Sequence, residues 1–449
     1  MNVLLICGND HYYGSAQAAI NLLKFAKAHC EDVRYIVLTQ TKGAINELCD
    51  GMGIENYVTG HAYACVAPEG DRLRNTAKHL AKKALVTAKN TRAVRKIEKL
   101  VDLSSIDIIH TNIDRDIIGC TLAKKHGIPH VMHLREFATG HYNVEPLYEG
   151  QYEEYNRSVD RYIAISRAVG QNWQESGLDA DKISVVYDGI DVERVQQRRD
   201  SAAEAVEKAA AEAVKEAASE DVKDAAATAA AAEDVVAPAA VEEDAAATAA
   251  AAEDEAAPRP RKLRLVMCGD LSSLKGQDQA IRALALIRDA QVRKNITLDI
   301  FGEVHTEKAY MGEMQSIIEG TGLVGSVVFR GYTSQLATLL KEYDCGIVCS
   351  RREGFGLATA EFMAAGLAVI ASDTGANSEL IEDGVSGLIY RYQDAVDLSA
   401  KIETLYRDRD KLNSYGRSAR RTVEEKFTIE ANCRGILDVY RGQTPHGGV

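Results

Sequence analysis

From residue 2 the chain runs Asn-Val-Leu-Leu-Ile-Cys and then turns polar. An apolar run without alternation reads as a strand buried on both faces. A loop over 8–14 follows. Over 15–29, Ala19, Leu22, Leu23 and Ala26 recur at helical spacing, with Ser15 placed as N-cap. The rhythm repeats, with strands predicted over 33–39, 106–110, 131–134, 161–166 and 182–187. Helices are predicted over 43–52, up to His126, and over 167–176. It restarts at 261–268, with further strands over 297–301, 327–330, 345–349 and 367–371. Helices over 277–288, 397–407 and 428–440 complete this half. Strands alternating with helices predict an α/β chain built on parallel sheets.

The densest chemistry lies in residues 350–373. An apolar strand leads into a turn holding Glu353, Gly354, Phe355 and Gly356. A helix of small residues follows, starting near Leu357 and carrying Glu361, and a second apolar strand comes after it. Such a turn lies at the carboxyl edge of a parallel sheet, where open α/β sheets bind ligands. The glycines let a ligand approach the backbone, and the helix N-terminus favours an anion. The two carboxylates are suited to accepting hydrogen bonds from sugar hydroxyls.

The spacing of Glu353 and Glu361, followed by Phe-Met-Ala-Ala-Gly-Leu-Ala-Val-Ile-Ala, resembles the signature of the family 4 retaining glycosyltransferases. That resemblance implies the GT-B fold, two Rossmann-like parallel-sheet domains facing across a cleft. It runs along nearly the whole chain except residues 196–261. It implies a nucleotide-diphosphate sugar as co-substrate, no further cofactor, no metal, and a glycan or lipid-linked hydroxyl acceptor. Residues 269–276 resemble the family's Gly-Arg-Leu-x-x-x-Lys-Gly. Lys275 is thereby implied to hold the diphosphate, while Asp270 stands where the family has Arg. Catalytic roles are implied for Glu353, on donor-sugar hydroxyls, for Lys275, and for His133, at a strand end reading His-Leu-Arg-Glu-Phe. Donor binding is implied for Gly354, Phe355, Gly356 and Leu357 through their backbone, and for Glu361 on the ribose. Gly14 and Ser15 match a loop facing the phosphate, in which Ser15 and Gln17 replace a glycine and an acid. The backbone at Arg330 and Tyr332 is implied to carry the nucleobase, and Asn377 to border the donor sugar. Residues 187–191, Tyr-Asp-Gly-Ile-Asp, resemble the family's exit from its first domain, with Asp188 replacing Asn. Arg135 and Glu136 are expected to pair with each other. Asp114 and Asp116 precede a helix, where N-capping is expected in preference to metal binding. The loop over 138–150, with His141, Tyr142 and Tyr148, suits a sugar-acceptor wall.

Charge changes the picture in two places. The 449-residue chain carries a net charge of −13. Residues 200–260 hold 16 acids and 4 bases, a charge of −12, so the remainder is nearly neutral. This Ala/Glu/Asp segment repeats Asp-Ala-Ala-Ala-Thr-Ala-Ala-Ala-Ala-Glu-Asp and has almost no large apolar residues, so it is expected to form no core. The expected division is 1–195 as the acceptor-binding domain and 196–261 as a disordered or partly helical linker insertion. A nucleotide-sugar-binding domain over 262–420 and a C-terminal helix over 421–449 returning to the first domain complete it. Residues 72–99, by contrast, carry ten Lys and Arg against Glu98, with Leu73, Ala77, Leu80, Ala84, Leu85 and Ala88 at helical spacing. A basic amphipathic helix fits an anionic membrane surface, or a solvated face. Without interleaved aromatics it gives no nucleic-acid signature. The nine cysteines form no Cys-x-x-Cys pair, and no apolar run reaches transmembrane length. The expected setting is the cytoplasm, including the inner face of a membrane. The rival to an active transferase, favoured by Asp270 and the altered 14–17 loop, is a catalytically silent GT-B-like subunit that binds glycan or stabilises a partner.

Overall fold

The computed structural model describes residues 1–8, 14–66, 72–138, 145–195, 262–304 and 307–442, with backbone alone at 72–76. The insertion over 196–261 and the loop residues His141 and Tyr142 lie outside the described residues, as do most of the 8–14 loop and the end of the chain.

Fifteen strands are described: β1 (Asn2–Cys7), β2 (Arg34–Thr39), β3 (Glu55–Val58), β4 (Cys65–Val66), β5 (Ile108–Thr111), β6 (His130–Leu134), β7 (Glu145–Pro146), β8 (Arg161–Ala164), β9 (Ile183–Val185), β10 (Leu263–Cys268), β11 (Ile296–Phe301), β12 (Val327–Gly331), β13 (Cys345–Val348), β14 (Ala368–Ser372) and β15 (Leu388–Tyr390). They form a seven-stranded sheet ordered β3-β2-β1-β5-β6-β8-β9 and a six-stranded sheet ordered β12-β11-β10-β13-β14-β15. Every pairing in both sheets is parallel. The antiparallel pair β4–β7 stands apart. The apolar runs form the strands for the reason their composition implies. Val3, Leu4, Leu5 and Ile6 are fully buried, covered on one side by helix Gly14–His29 and on the other by helices Arg72–Leu100 and Ile118–His126.

Each sheet reverses strand order once, between β1 and β5 in the first and between β10 and β13 in the second. Ligands of open α/β sheets bind outside the carboxyl ends of the strands at such a reversal. At these edges stand Gly14, where the helix after β1 begins, Asn112, just past β5, and His133, near the end of β6; the loops after β10 and β13 hold Lys275 and Glu353.

The halves are joined at their exits. Ile190 N–H donates to the Phe427 carbonyl at 2.8 Å. Gly189 lies so close to the Ile429 backbone that a Cβ there would come within 2.5 Å of it. The last helix, Ile429–Arg441, then packs on helix Gly14–His29, burying Cys433, Ile436, Leu437 and Tyr440 in the first half's core.

Candidate active site

Backbone packing fixes the turn after β13. Gly375 is left-handed (φ 60°) and a Cβ on it would come within 2.3 Å of the Glu353 backbone, so the 372–376 turn lies directly on the 350–356 turn. Ala376 N–H donates to the Glu353 carbonyl at 2.9 Å. The Ser372 and Thr374 hydroxyls both donate to the Ser350 carbonyl, at 2.9 and 2.6 Å. Gly276, also left-handed, sits against the Cys349 carbonyl, and Arg351 N–H donates to the Leu274 carbonyl at 2.8 Å. Three turns are thereby locked together.

This packing brings Lys275 to Glu353. The ammonium donates to Glu353 Oε1 at 2.7 Å, and the Ser350 hydroxyl donates to the same oxygen at 2.5 Å. Glu353 is buried, while Lys275 is about one third exposed at its side chain. A charge-assisted pair held from three sides is a preorganised array of donors and acceptors. Asp270, on the same loop, is exposed.

Gly356 (φ 93°) begins helix Leu357–Ala364, whose first N–H groups have no partners within the helix. Asn377 supports that start from below. It is fully buried, accepts from the Thr359 hydroxyl at 2.9 Å and donates to the Ser372 carbonyl at 3.2 Å. Its side chain holds the turn together instead of presenting a free amide. The Phe355 ring likewise faces inward, against Tyr187 and Phe427. Gly354 approaches the other half: a Cβ there would lie 3.2 Å from the Arg135 carbonyl.

Between the halves lies a cavity of about 320 Å³. Gly14, Gln17 and Asn21 line it from the first half, Leu357 and Glu361 from the second, and Arg194 from the segment that ends the first half. A Cβ on Gly14 would touch the Leu357 side chain at 3.3 Å, so glycine at 14 keeps the halves close. Burial raises the pKa of Glu361 above the ordinary carboxylate range, and the Arg194 charge opposes that shift. Nothing local in the sequence places Arg194 opposite Glu361.

His133 is the penultimate residue of β6 and is fully buried. Its Nδ1 lies 3.0 Å from His110 Nε2. Burial, with the Arg135 charge, holds its pKa well below the usual histidine value. The expected Arg135–Glu136 pair is not what forms. Arg135 donates to Asp188 Oδ1 at 2.9 Å and to Asn112, both across the buried base of the cleft. Glu136 pairs instead with Arg115. Neighbours along a strand end point apart, so the partners come from other elements.

Other expected residues stand as follows. The first helix begins at Gly14, which puts Ser15 in its first turn and not at the N-cap, and the Ser15 carbonyl accepts from Asn112 at 2.9 Å. Arg330 pairs with Asp299 at 3.1 Å, Tyr332 is 71% exposed, and neither lines the cleft cavity. Asp116 accepts from Ile118 N–H at 3.2 Å, a capping contact, and faces His61 at 2.7 Å. Glu379 is a further element that no local sequence motif marks. It accepts from the N–H groups of Arg167 and Ala168, both at 2.8 Å, and from the Tyr187 hydroxyl at 2.9 Å. The second half thus caps a helix of the first.

Residues 251–422 match the family described as Glycosyl transferases group 1, and residues 46–194 match Glycosyltransferase Family 4. The chain is 28% identical over 185 residues to a D-inositol 3-phosphate glycosyltransferase of Paenarthrobacter aurescens, covering 41% of this chain and 45% of that protein. It is 30% identical over 178 residues to the lipopolysaccharide core biosynthesis mannosyltransferase LpcC of Rhizobium leguminosarum, covering 39% and 50%. The chain therefore spans about half the length of the curated relatives it matches. Among solved structures, Anabaena HepE in complex with UDP and glucose superposes with a TM-score of 0.65 at 18% identity, covering 98% of this chain and 99% of that one. A glycosyltransferase from Rickettsia africae gives 0.67 at 17% identity, covering 99% of each. Two matched regions separated by residues 195–250, with two parallel sheets meeting at a cleft, place the chain in the group 1, family 4 glycosyltransferases of GT-B fold.

Proposed function

We propose that the protein transfers a sugar from a nucleotide-diphosphate sugar to a hydroxyl acceptor with retention of anomeric configuration, in cell-surface polysaccharide or glycolipid synthesis. The observation that carries this reading is the Ser350–Glu353–Lys275 cluster, locked beside an open helix N-terminus, next to Gly354, where a Cβ would lie 3.2 Å from the Arg135 carbonyl of the other half. In the reaction the bond from the anomeric carbon to the diphosphate breaks and a bond to the acceptor oxygen forms. The acceptor proton passes to the departing phosphate oxygen. Charge grows on the diphosphate, and Lys275 with the N–H groups at 355–357 is the array suited to stabilise it. Glu353 orients donor-sugar hydroxyls and Glu361 the ribose. The kinship with UDP-binding HepE supports a nucleotide donor. No cofactor beyond the nucleotide sugar enters this scheme. Incubation with radiolabelled nucleotide sugars and lipid extracts tests it: labelled product with the donor's anomeric configuration, lost in Glu353→Gln, is expected. Inverted product, or equal product from both proteins, contradicts it.

For the acceptor side we propose a membrane surface. Helix Arg72–Leu100 packs through Val86, Ala93, Val94 and Ile97. The ridge expected from its spacing faces solvent instead: Ala77, Ala84 and Ala88 are exposed, as are Leu80 (60%) and Leu85 (56%). Exposed Lys78, Lys82 and Lys89 stand among them. Apolar residues flanked by lysines suit an anionic bilayer. Co-sedimentation with phosphatidylglycerol vesicles that Leu80→Asp/Leu85→Asp abolishes is expected, and binding indifferent to both changes removes this part. Among the described residues no helix is long and apolar enough to cross a membrane.

A further inference from the structure

Three buried side chains outside the Lys275–Glu353 pair stand in line. The Tyr440 hydroxyl, on the last helix, lies 2.5 Å from His110 Nδ1, and His110 Nε2 lies 3.0 Å from His133 Nδ1. All three residues are fully buried. His133 Nε2, also buried, has no hydrogen-bond partner among the described residues.

Proton counting gives the line a direction. A neutral imidazole has one N–H and one lone pair, so each contact needs one donor and one acceptor. Burial pushes His110 down to about 3 and His133 well below its usual value, and lifts Tyr440 well above its own. Both rings are therefore neutral and the phenol keeps its hydrogen. Imidazole nitrogen is the stronger acceptor within reach of that hydroxyl, since the neighbouring Tyr35 is itself a protonated phenol. With Tyr440 O–H donating to His110 Nδ1, the His110 proton must sit on Nε2. That N–H donates to His133 Nδ1, which leaves the His133 proton on Nε2.

We infer that Tyr440 and His110 are positioning residues that hold His133 in its Nε2–H tautomer, so that it meets the substrate as a neutral hydrogen-bond donor and not as a base. The substrate part rests on the transferase reading above; the tautomer does not. The returning C-terminal helix thereby has a chemical task, because Tyr440 belongs to a segment 330 residues away from His110.

The test is a long-range proton–nitrogen spectrum of the full chain labelled with ¹⁵N-histidine, with the His133 signals assigned by their loss in His133→Asn. His130 supplies an internal fold control. Its Nδ1 donates to the Ser158 carbonyl at 3.1 Å while its Nε2 accepts from the Thr111 hydroxyl at 2.8 Å, the opposite tautomer. The expected wild-type result is His133 protonated on Nε2 beside His130 protonated on Nδ1. In Tyr440→Phe, which removes only the hydroxyl, the His133 pattern should shift toward a mixture while His130 is unchanged. A wild-type His133 protonated on Nδ1, or a His133 pattern that Tyr440→Phe leaves untouched, overturns the inference. Because the spectrum reads protons and not turnover, a correct tautomer in a protein whose His133→Asn variant transfers sugar normally would sink only the substrate role.

Discussion

Glu353 is the residue on which the site turns. One of its oxygens takes both the Lys275 ammonium and the Ser350 hydroxyl. Glu353→Gln keeps the shape and removes the charge, so the fold should survive while sugar transfer falls about 100-fold, the usual scale for losing one preorganised polar contact; initial rates at saturating donor check this. Asp114 offers a prediction about stability. Its Oδ1 is buried with no hydrogen-bond partner among the described residues, and burial raises its pKa from 3.8 to about 6. The folded state therefore holds its proton longer than the unfolded state as pH rises, so stability is lost between about pH 4 and pH 6. Asp114→Asn should be more stable than the parent above pH 6, by up to about 3 kcal/mol, and indistinguishable below pH 4. Urea melts at pH 4 and pH 7 compare the two. A difference that grows toward low pH would refute the assignment.

Between elements, Glu379 carries the most consequence. A carboxylate of the second half accepts two N–H groups at the start of helix Arg167–Glu175, where an N-terminal dipole favours negative charge. Ser166 already caps that helix through its own hydroxyl, donated to by Val169 N–H at 3.1 Å. Glu379 is therefore an addition that ties the halves together. Glu379→Ala should cost about 1–2 kcal/mol, the scale of a lost cap, and loosen the closed arrangement. A larger radius of gyration in solution scattering, with an unchanged far-ultraviolet circular dichroism spectrum, is the expected signature.

Which of these features can be read from the chain depends on sequence distance. β1, β13 and β14 are legible because strands buried on both faces are written as continuous apolar runs, and the 350–356 turn because its glycines and acids are adjacent. The three-residue strand β15 is too short to carry such a pattern. Helix Arg409–Lys426 is rich in charge and buries only a narrow stripe, Leu412, Tyr415, Ala419 and Val423, so its apolar signal is diluted. Pairings between elements are not written locally at all. Arg135 meets Asp188 across 53 residues, and Glu379 meets Ala168 across 211. Adjacent Glu136 was the natural partner on paper, but the strand turns it the other way.

At the scale of the whole molecule, the two halves place their carboxyl-edge loops against each other, with Gly14 touching Leu357 and Gly354 reaching the Arg135 carbonyl. A site assembled from both halves should close over its donor and exclude water. Under the proposed function, the Lys275–Glu353 corner binds a nucleotide-diphosphate sugar. Thermal unfolding against a panel of nucleotide sugars tests it most directly, since a ligand held only by the folded state raises the melting temperature by mass action. At about 100 times the dissociation constant, at least one nucleotide sugar should raise it by about 3 °C or more, and Lys275→Met should erase most of that rise. A panel that leaves the wild type unmoved, or a nucleotide sugar that stabilises Lys275→Met equally, would rule this binding site out.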